Sequence, residues 1–119
     1  MYCPELLLTL LLDTTMQIVF KQDYLSNLYN DQTADKKQWF QPEVVKKYRK
    51  VVNILKQART VEDLFPFNSL HYEKLSGDKK GIESVRVTEK YRLEFQTDKI
   101  EGDNTITICN IHELSNHYQ

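Results

Sequence analysis

The chain has 119 residues, of which 40% are hydrophobic, 28% charged and 11% aromatic, and this balance indicates a single soluble globular domain and argues against a disordered chain. Its longest apolar run, residues 6–12, is far shorter than a membrane span, so no membrane association is predicted. The two cysteines, Cys3 and Cys109, predict free thiols in a reducing cytoplasm, and Cys109 in mid-strand is expected to be buried.

The net charge of −1 conceals a basic middle segment. Residues 36–59 carry eight bases and one acid, net +7, whereas residues 1–31 total −3 and residues 60–119 total −4. Such a segment suits a polyanion or an acidic partner, but it is also typical of the solvated face of an ordinary helix.

In chain order, residues 1–15 come first and differ in composition from the rest. They lack the basic region and the cleavage site of a secretory signal. We therefore interpret them as an N-terminal appendage of uncertain role and assign residues 16–119 to a single domain. A β-prone run at residues 17–20 opens this domain, and the apolar spacing at residues 24–29 predicts a short helix.

The strongest helix signal lies in the basic middle segment. Pro42 suits a first helical position, and Glu43 suits the positive end of the helix dipole. One face carries the apolar residues Val44, Tyr48, Val51, Val52 and Leu55. The other faces are largely basic.

The second half of the chain changes to strand signals. Residues 83–87 and 91–96 predict a hairpin that turns at residues 88–90, and residues 105–111 predict a further strand. The order β, α, α and then a three-stranded meander predicts an α+β fold. In this fold two helices pack on one face of a small, mostly antiparallel sheet.

Strand alternation places Arg86 and Arg92 on one sheet face, opposite the apolar side chains, so we expect neither of them in the core. Two neighbouring guanidiniums suit a phosphate, because each planar fork donates two hydrogen bonds and stays charged. The alternative is that they form ion pairs with Glu83, Glu89 or Glu94.

The run LSGDKKGIESVRVTEKYRLEF at residues 75–95 resembles the signature of the HigB-like toxins in the RelE/ParE superfamily. The shared features are a Leu, a Gly-Asp loop, a Gly, an Arg-bearing strand, a short turn, and Tyr-Arg before an apolar strand. The resemblance extends over residues 16–119 and implies the RelE-like fold, which agrees with the α+β prediction.

The resemblance also implies a function. HigB-like toxins of type II toxin–antitoxin pairs are endoribonucleases that cleave mRNA in the ribosomal A site. The expected chemistry is metal-independent attack of the ribose 2′-OH on the scissile phosphate, without a cofactor. The expected partners are a helix-turn-helix antitoxin of the HigA type, the ribosome and mRNA.

The resemblance further implies site residues. Arg92 matches the arginine that stabilises the scissile phosphate, and Arg86 matches a second basic position. His71 lies near the place of a catalytic histidine, although two extra residues separate it from the Gly-Asp loop. His117 and Tyr118 match a C-terminal acid-Tyr-His cluster in reversed order and without its acid. The residues expected to contact RNA are Lys46, Lys47, Arg49, Lys50, Lys74, Lys79 and Lys80.

Two other functions stay open at this point. ParE-like members of the superfamily share the fold but poison DNA gyrase by binding, without RNA chemistry. The chain could also be a pure interaction module whose basic helix docks on an acidic antitoxin. The arginines and His71 favour the nuclease, whereas the altered C-terminal cluster favours the alternatives.

Overall fold

The computed structural model describes residues 15–30, 40–101 and 106–116. The predicted appendage, apart from Thr15, lies outside these residues. The described helices are α1 (Asp23–Tyr29) and α2 (Pro42–Gln57), and the described strands are β1 (Gln17–Phe20), β2 (Glu73–Lys74), β3 (Glu83–Arg86), β4 (Arg92–Ile100) and β5 (Ile106–Ser115).

The five strands form one sheet in the order β1-β5-β4-β3-β2. Strand β1 runs parallel to β5, and all other neighbouring strands are antiparallel. Parallel strands need a long connection, and here both helices and strands β2 to β4 lie between β1 and β5 in the chain. The predicted α+β fold with a mostly antiparallel sheet is confirmed, whereas β2 and the last residues of β5 were not predicted.

The helices pack on one face of the sheet through the apolar stripe of α2. All five predicted stripe residues are buried, and Tyr48 and Leu55 have no exposed surface. The Tyr48 hydroxyl also donates to the Leu25 carbonyl at 2.7 Å, which joins α2 to α1. On the sheet side the core residues are Val85, Leu93, Phe95, Cys109 and Ile111. Each large apolar side chain buried there stabilises the fold by about 1.5–3 kcal/mol.

A β-bulge in β5 decides which residues share a face at the end of the sheet. Glu94 pairs with Glu113 and Phe95 pairs with Ile111, so His112 is the additional residue. The bulge keeps the apolar residues on both sides of it on the helix face. It also turns Glu113 toward the opposite side, which we call the open face.

Candidate active site on the open face

Arg92 is the main residue of the candidate site and lies on the open face. It begins β4 and lies opposite Arg86 on one side and Ser115 on the other. Its Nε donates to the Ser84 hydroxyl at 3.0 Å, and its Nη2 donates to the His71 carbonyl. The predicted face is therefore correct. The expectation that Arg92 lies outside the core is wrong, because its side chain is only 10% exposed.

The burial of Arg92 comes from the segment between α2 and β3, which covers this end of the sheet. His71 follows the 3-10 turn Asn68–Leu70 and has a left-handed backbone with φ 44° and ψ 55°. A residue with a Cβ pays about 1 kcal/mol for this conformation. The hydrogen bond from Arg92 to the His71 carbonyl helps to hold the turn, while the histidine itself is exposed.

Glu73 forms an ion pair with Arg92. Its Oε1 lies 3.4 Å from Arg92 Nη2, and its side chain is 56% exposed. Pairing of β2 with β3 sets Glu73 opposite Ser84, which puts both on the open face. The ion-pair alternative thus holds for Arg92, but with a partner that was not among the acids considered. A strand of two residues has no periodic signal by which β2, and hence Glu73, could have been found.

Arg86 forms the weaker of the two arginine ion pairs. Its Nη2 lies 4.0 Å from Glu89 Oε1, and Glu89 is 91% exposed. A solvent-exposed pair of this kind contributes at most about 1 kcal/mol. Glu83, another of the three acids considered as partners, instead accepts hydrogen bonds from the hydroxyls of Tyr72 and Thr97.

Lys79 is held inside the site. Its Nζ lies 2.8 and 3.1 Å from the two carboxylate oxygens of Glu94, whose side chain is only 5% exposed. A buried carboxylate needs such a partner. The loop that carries Lys79 is bracketed by Gly77 and Gly81, whose φ angles of 66° and 93° strongly favour glycine. The glycines of the quoted signature thereby position a lysine over the sheet.

The structure separates the predicted RNA-binding residues into two groups. Lys74 and Lys80 are exposed at the β2 edge of the sheet, where they line a cavity with Glu83 and Thr97. The residues of α2, Lys46, Lys47, Arg49 and Lys50, belong to the helix that packs on the other face of the sheet. Among these, Arg49 is committed to the fold, because its Nε donates to the Leu28 carbonyl at 2.7 Å.

The predicted C-terminal pair, His117 and Tyr118, lies outside the described residues. The described strand ends at Ser115, which pairs with Arg92 across the sheet. Sequence reasoning missed Ser84 as the anchor of Arg92. The available signal was that Ser84 and Arg86 are two positions apart in one strand, which places both side chains on the same face.

Cys109 and Tyr72, whose neighbours belong to the helix face of the sheet, are among the groups with a raised pKa. Burial raises the pKa of the Cys109 thiol to about 12, in line with the prediction that this cysteine is buried. Burial, followed by the hydrogen bond to Glu83, raises the pKa of the Tyr72 hydroxyl.

Within residues 15–30, 40–101 and 106–116, no three His, Cys, Asp or Glu side chains cluster in a way that could hold a metal ion. No helix in the same ranges is long and apolar enough to cross a membrane.

Two helices on one face of a mostly antiparallel sheet form the α+β fold of the RelE-like toxin domains. The profile of the family described as "RelE-like toxin of type II toxin-antitoxin system HigB" matches residues 18–111. The chain belongs to this HigB-like family of type II toxin–antitoxin toxins, as its signature run indicated.

Solved structures agree with the fold. The YoeB–YefM complex from Staphylococcus aureus contains a chain that is 20% identical, with a TM-score of 0.51 over 87% of this chain and 98% of that chain. YafQ from E. coli strain BL21(DE3) is 9% identical, with a TM-score of 0.50 over 87% of this chain and 94% of that chain. No curated protein sequence matches the chain. At these identities the structural likeness concerns the fold alone.

Proposed function

We propose that this toxin is a ribosome-dependent mRNA endoribonuclease that cleaves without a metal ion. The observation that carries the proposal is the pairing of Arg92 with Glu73 on the open face. A guanidinium held from behind by Ser84 and the His71 carbonyl is a fixed donor for phosphate oxygens. An exposed carboxylate 3.4 Å from it is in position to accept a proton beside that phosphate.

In the proposed mechanism the scissile phosphate takes the place of the Glu73 carboxylate on Arg92. Glu73, displaced but adjacent, accepts the proton of the ribose 2′-OH as its oxygen attacks phosphorus. The P–O5′ bond breaks, and an acid donates a proton to the departing oxygen. The products are a 2′,3′-cyclic phosphate and a 5′-OH. Arg92 stabilises the charge that develops on the phosphorane.

The acid for the leaving oxygen is proposed among His71, His117 and Tyr118. His71 is exposed and its own carbonyl is bound by Arg92, which supports a place beside the phosphate. His117 and Tyr118 follow Ser115 by two and three residues in the sequence, and Ser115 pairs with Arg92. Arg86, directly opposite Arg92, is proposed as a second cation for the RNA backbone.

The basic residues are proposed to contact two different targets. Lys79 lies on the face that carries Arg92, and Lys74 and Lys80 line a cavity at the β2 edge of the sheet. All three are proposed to follow the substrate strand. The exposed lysines of α2 belong to the opposite side. We assign those lysines to ribosomal RNA phosphates, a binding mode that depends on salt and not on sequence.

We also propose an antitoxin partner of the helix-turn-helix, HigA-like type. One of the structures similar to this chain is the YoeB–YefM complex from Staphylococcus aureus, which supports an antitoxin that binds the toxin directly. The N-terminal residues 1–15 are proposed to be an appendage to the toxin domain, because the family profile begins only at residue 18.

One observation favours the alternative of a binding module without nuclease activity. The Arg92 side chain is only 10% exposed and already paired, so a phosphate must displace Glu73 to reach it. Purified protein added to ribosomes that translate a defined mRNA distinguishes the two. New mRNA 5′ ends within codons support the nuclease, whereas translation arrest with intact mRNA supports the binding module or a different target.

A further inference from the structure

Two adjoining cavities at the β2 edge of the sheet form a trough on the helix face, opposite the face that carries Arg92. Their volumes are about 190 and 400 Å³, and they share Lys74, Glu83 and Thr97. The strand register sets Lys74 opposite Glu83, and Glu83 opposite the core residue Phe95, so these side chains lie on the helix face. We call the two cavities together the edge trough. It is separate from the candidate active site.

Three exposed lysines line the edge trough. Lys74 is common to both cavities, Lys99 lines the smaller one, and Lys80 lines the larger one. Within the part of the chain that the structure describes, none of the three forms a hydrogen bond or an ion pair through its side chain. By contrast, Lys79 on the open face is paired with Glu94. Unpaired ammonium groups along one trough suit an extended anion.

Two acids also line the edge trough, but both carboxylates already have hydrogen-bond donors. Glu83 is only 7% exposed and accepts from the hydroxyls of Tyr72 and Thr97. Glu62 is exposed, and hydrogen bonds with its own backbone and with the Thr60 hydroxyl lower its pKa. The three lysines therefore leave the trough with an excess of positive charge that these acids do not bind.

Phe65 adds a fixed aromatic ring to the smaller cavity. It is 55% exposed and lines that cavity together with Tyr72. The Phe65 and Tyr72 ring centroids are 5.3 Å apart, and those of Tyr72 and the fully buried Phe95 are 6.4 Å apart. The core thus supports the Phe65 ring while more than half of its surface stays in solvent. An exposed ring beside cations is the combination that binds single-stranded nucleic acids.

We propose that the edge trough binds an unpaired stretch of RNA, with one base stacked on Phe65 and the neighbouring phosphates near the three lysines. The inference goes beyond the proposed nuclease, because it assigns a second RNA site on the face opposite Arg92 and requires no cleavage. Unpaired bases suit the ring because each has a flat π face, and ammonium groups bind phosphates as point charges. mRNA and ribosomal RNA share this chemistry.

The test measures, by fluorescence anisotropy, the binding of a short labelled single-stranded RNA to the purified toxin at several salt concentrations. 2′-O-methyl groups on the RNA prevent cleavage. The double variant Lys74→Ala/Lys99→Ala should lower the slope of log K against log salt by about 1.4, because each phosphate contact contributes about 0.7 in single strands. Lys74→Arg/Lys99→Arg should keep the slope, even if the alanine pair folds poorly. Phe65→Leu should weaken binding at least about 5-fold without changing the slope.

Two matched controls use the same substitutions elsewhere. Phe67 is 46% exposed but lines neither cavity of the trough, so Phe67→Leu should bind RNA like the wild type. Lys46→Ala/Lys50→Ala removes the same charge from α2 and should leave the slope unchanged. Phe65→Tyr keeps the ring and should bind like the wild type. Equal losses in a trough variant and its control would indicate unspecific attraction and overturn the proposal.

Cleavage of mRNA on ribosomes is measured in parallel. If the wild type cleaves but RNA binding is insensitive to the trough variants, the trough proposal fails alone. If mRNA stays intact while the trough variants lose RNA binding as expected, the nuclease proposal fails alone. If the trough variants weaken binding of the antitoxin encoded beside the toxin but not of RNA, the trough is a protein interface and the proposal is overturned.

Photocrosslinking identifies the RNA in the edge trough. The variant Phe65→benzoylphenylalanine is irradiated on programmed ribosomes, and the crosslinked RNA is sequenced. Crosslinks to mRNA or to ribosomal RNA support the site and name its source, whereas crosslinks to ribosomal proteins alone contradict it.

Discussion

Replacing Arg92 by alanine is expected to lower both stability and cleavage. The substitution leaves the buried Ser84 hydroxyl and the His71 carbonyl without the donor that they have in the wild type. A buried group that loses its partner costs about 1–3 kcal/mol. Because the bond to the His71 carbonyl is only partly buried, we expect a total loss of about 2–4 kcal/mol in the free energy of unfolding. For a domain of this size that lowers the melting temperature by about 10–20 °C.

To separate the effect of Arg92→Ala on the cleavage rate from its effect on stability, cleavage is measured below the melting temperature of the variant. At a temperature where circular dichroism shows the variant fully folded, cleavage should fall by about 10²–10³-fold, the usual effect of losing one preorganised charge. Arg92→Lys should recover only part of the rate, because an ammonium keeps the charge but lacks the planar fork.

The matched control for Arg92 is Arg86→Ala. Arg86 lies directly opposite on β3, and its ion pair at 4.0 Å involves the exposed Glu89. Its loss should change stability by less than about 1 kcal/mol. A folded Arg92→Ala protein that cleaves mRNA as fast as the wild type would refute the assignment of Arg92 as the phosphate clamp.

Four further outcomes are expected. Glu73→Gln should cut cleavage by about 10²-fold if Glu73 is the base, with less than about 1 kcal/mol change in urea unfolding; an unchanged rate would exclude that role. Lys79→Ala should destabilise the fold by about 2 kcal/mol or more in urea, because it removes the ammonium that contacts both oxygens of the buried Glu94 carboxylate, whereas Lys80→Ala should be nearly neutral; equal effects would contradict the pairing. The pKa of Cys109 is raised to about 12 from its ordinary 9.0, so above pH 9 the thiol ionises in the unfolded chain but not in the folded one. The free energy of unfolding should therefore not depend on this thiol below pH 9, and should then fall by about 1.4 kcal/mol per pH unit as pH rises toward 12. Cys109→Ala should remove that slope between pH 9 and pH 10. Deletion of residues 1–15 should lower the melting temperature by less than about 10 °C; a larger loss would place them in the core.

Much of the fold can be predicted from hydrophobic patterns within single helices and strands, because the buried faces in the structure are the ones that these patterns indicate. The stripe of α2 and the alternation in β3 and β4 are signals within single elements, and the structure follows both. The β1–β5 pairing joins residues about 90 positions apart and so leaves no local signal. The bulge at His112 is equally invisible, because the sequence there still reads as ordinary strand.

The site was harder to predict than the fold because its geometry depends on an irregular segment. Alternation placed Arg92 on the correct face, but its burial results from the segment that carries His71 and Glu73, both of which contact it. Glu73 became a partner of Arg92 through β2, which is too short to have a pattern. The alternation of residues within one strand shows which face a side chain is on, but it does not show which other segment packs over that face.

The most direct test of the central claim is to map the 5′ ends of a defined mRNA on purified ribosomes with and without the protein. The nuclease proposal predicts new ends with a 5′-OH, matched by 2′,3′-cyclic phosphates on the upstream fragments. These ends should be strongly reduced with folded Arg92→Ala protein. Intact mRNA at a protein concentration that stops translation, or ends that form equally well without Arg92, would contradict it.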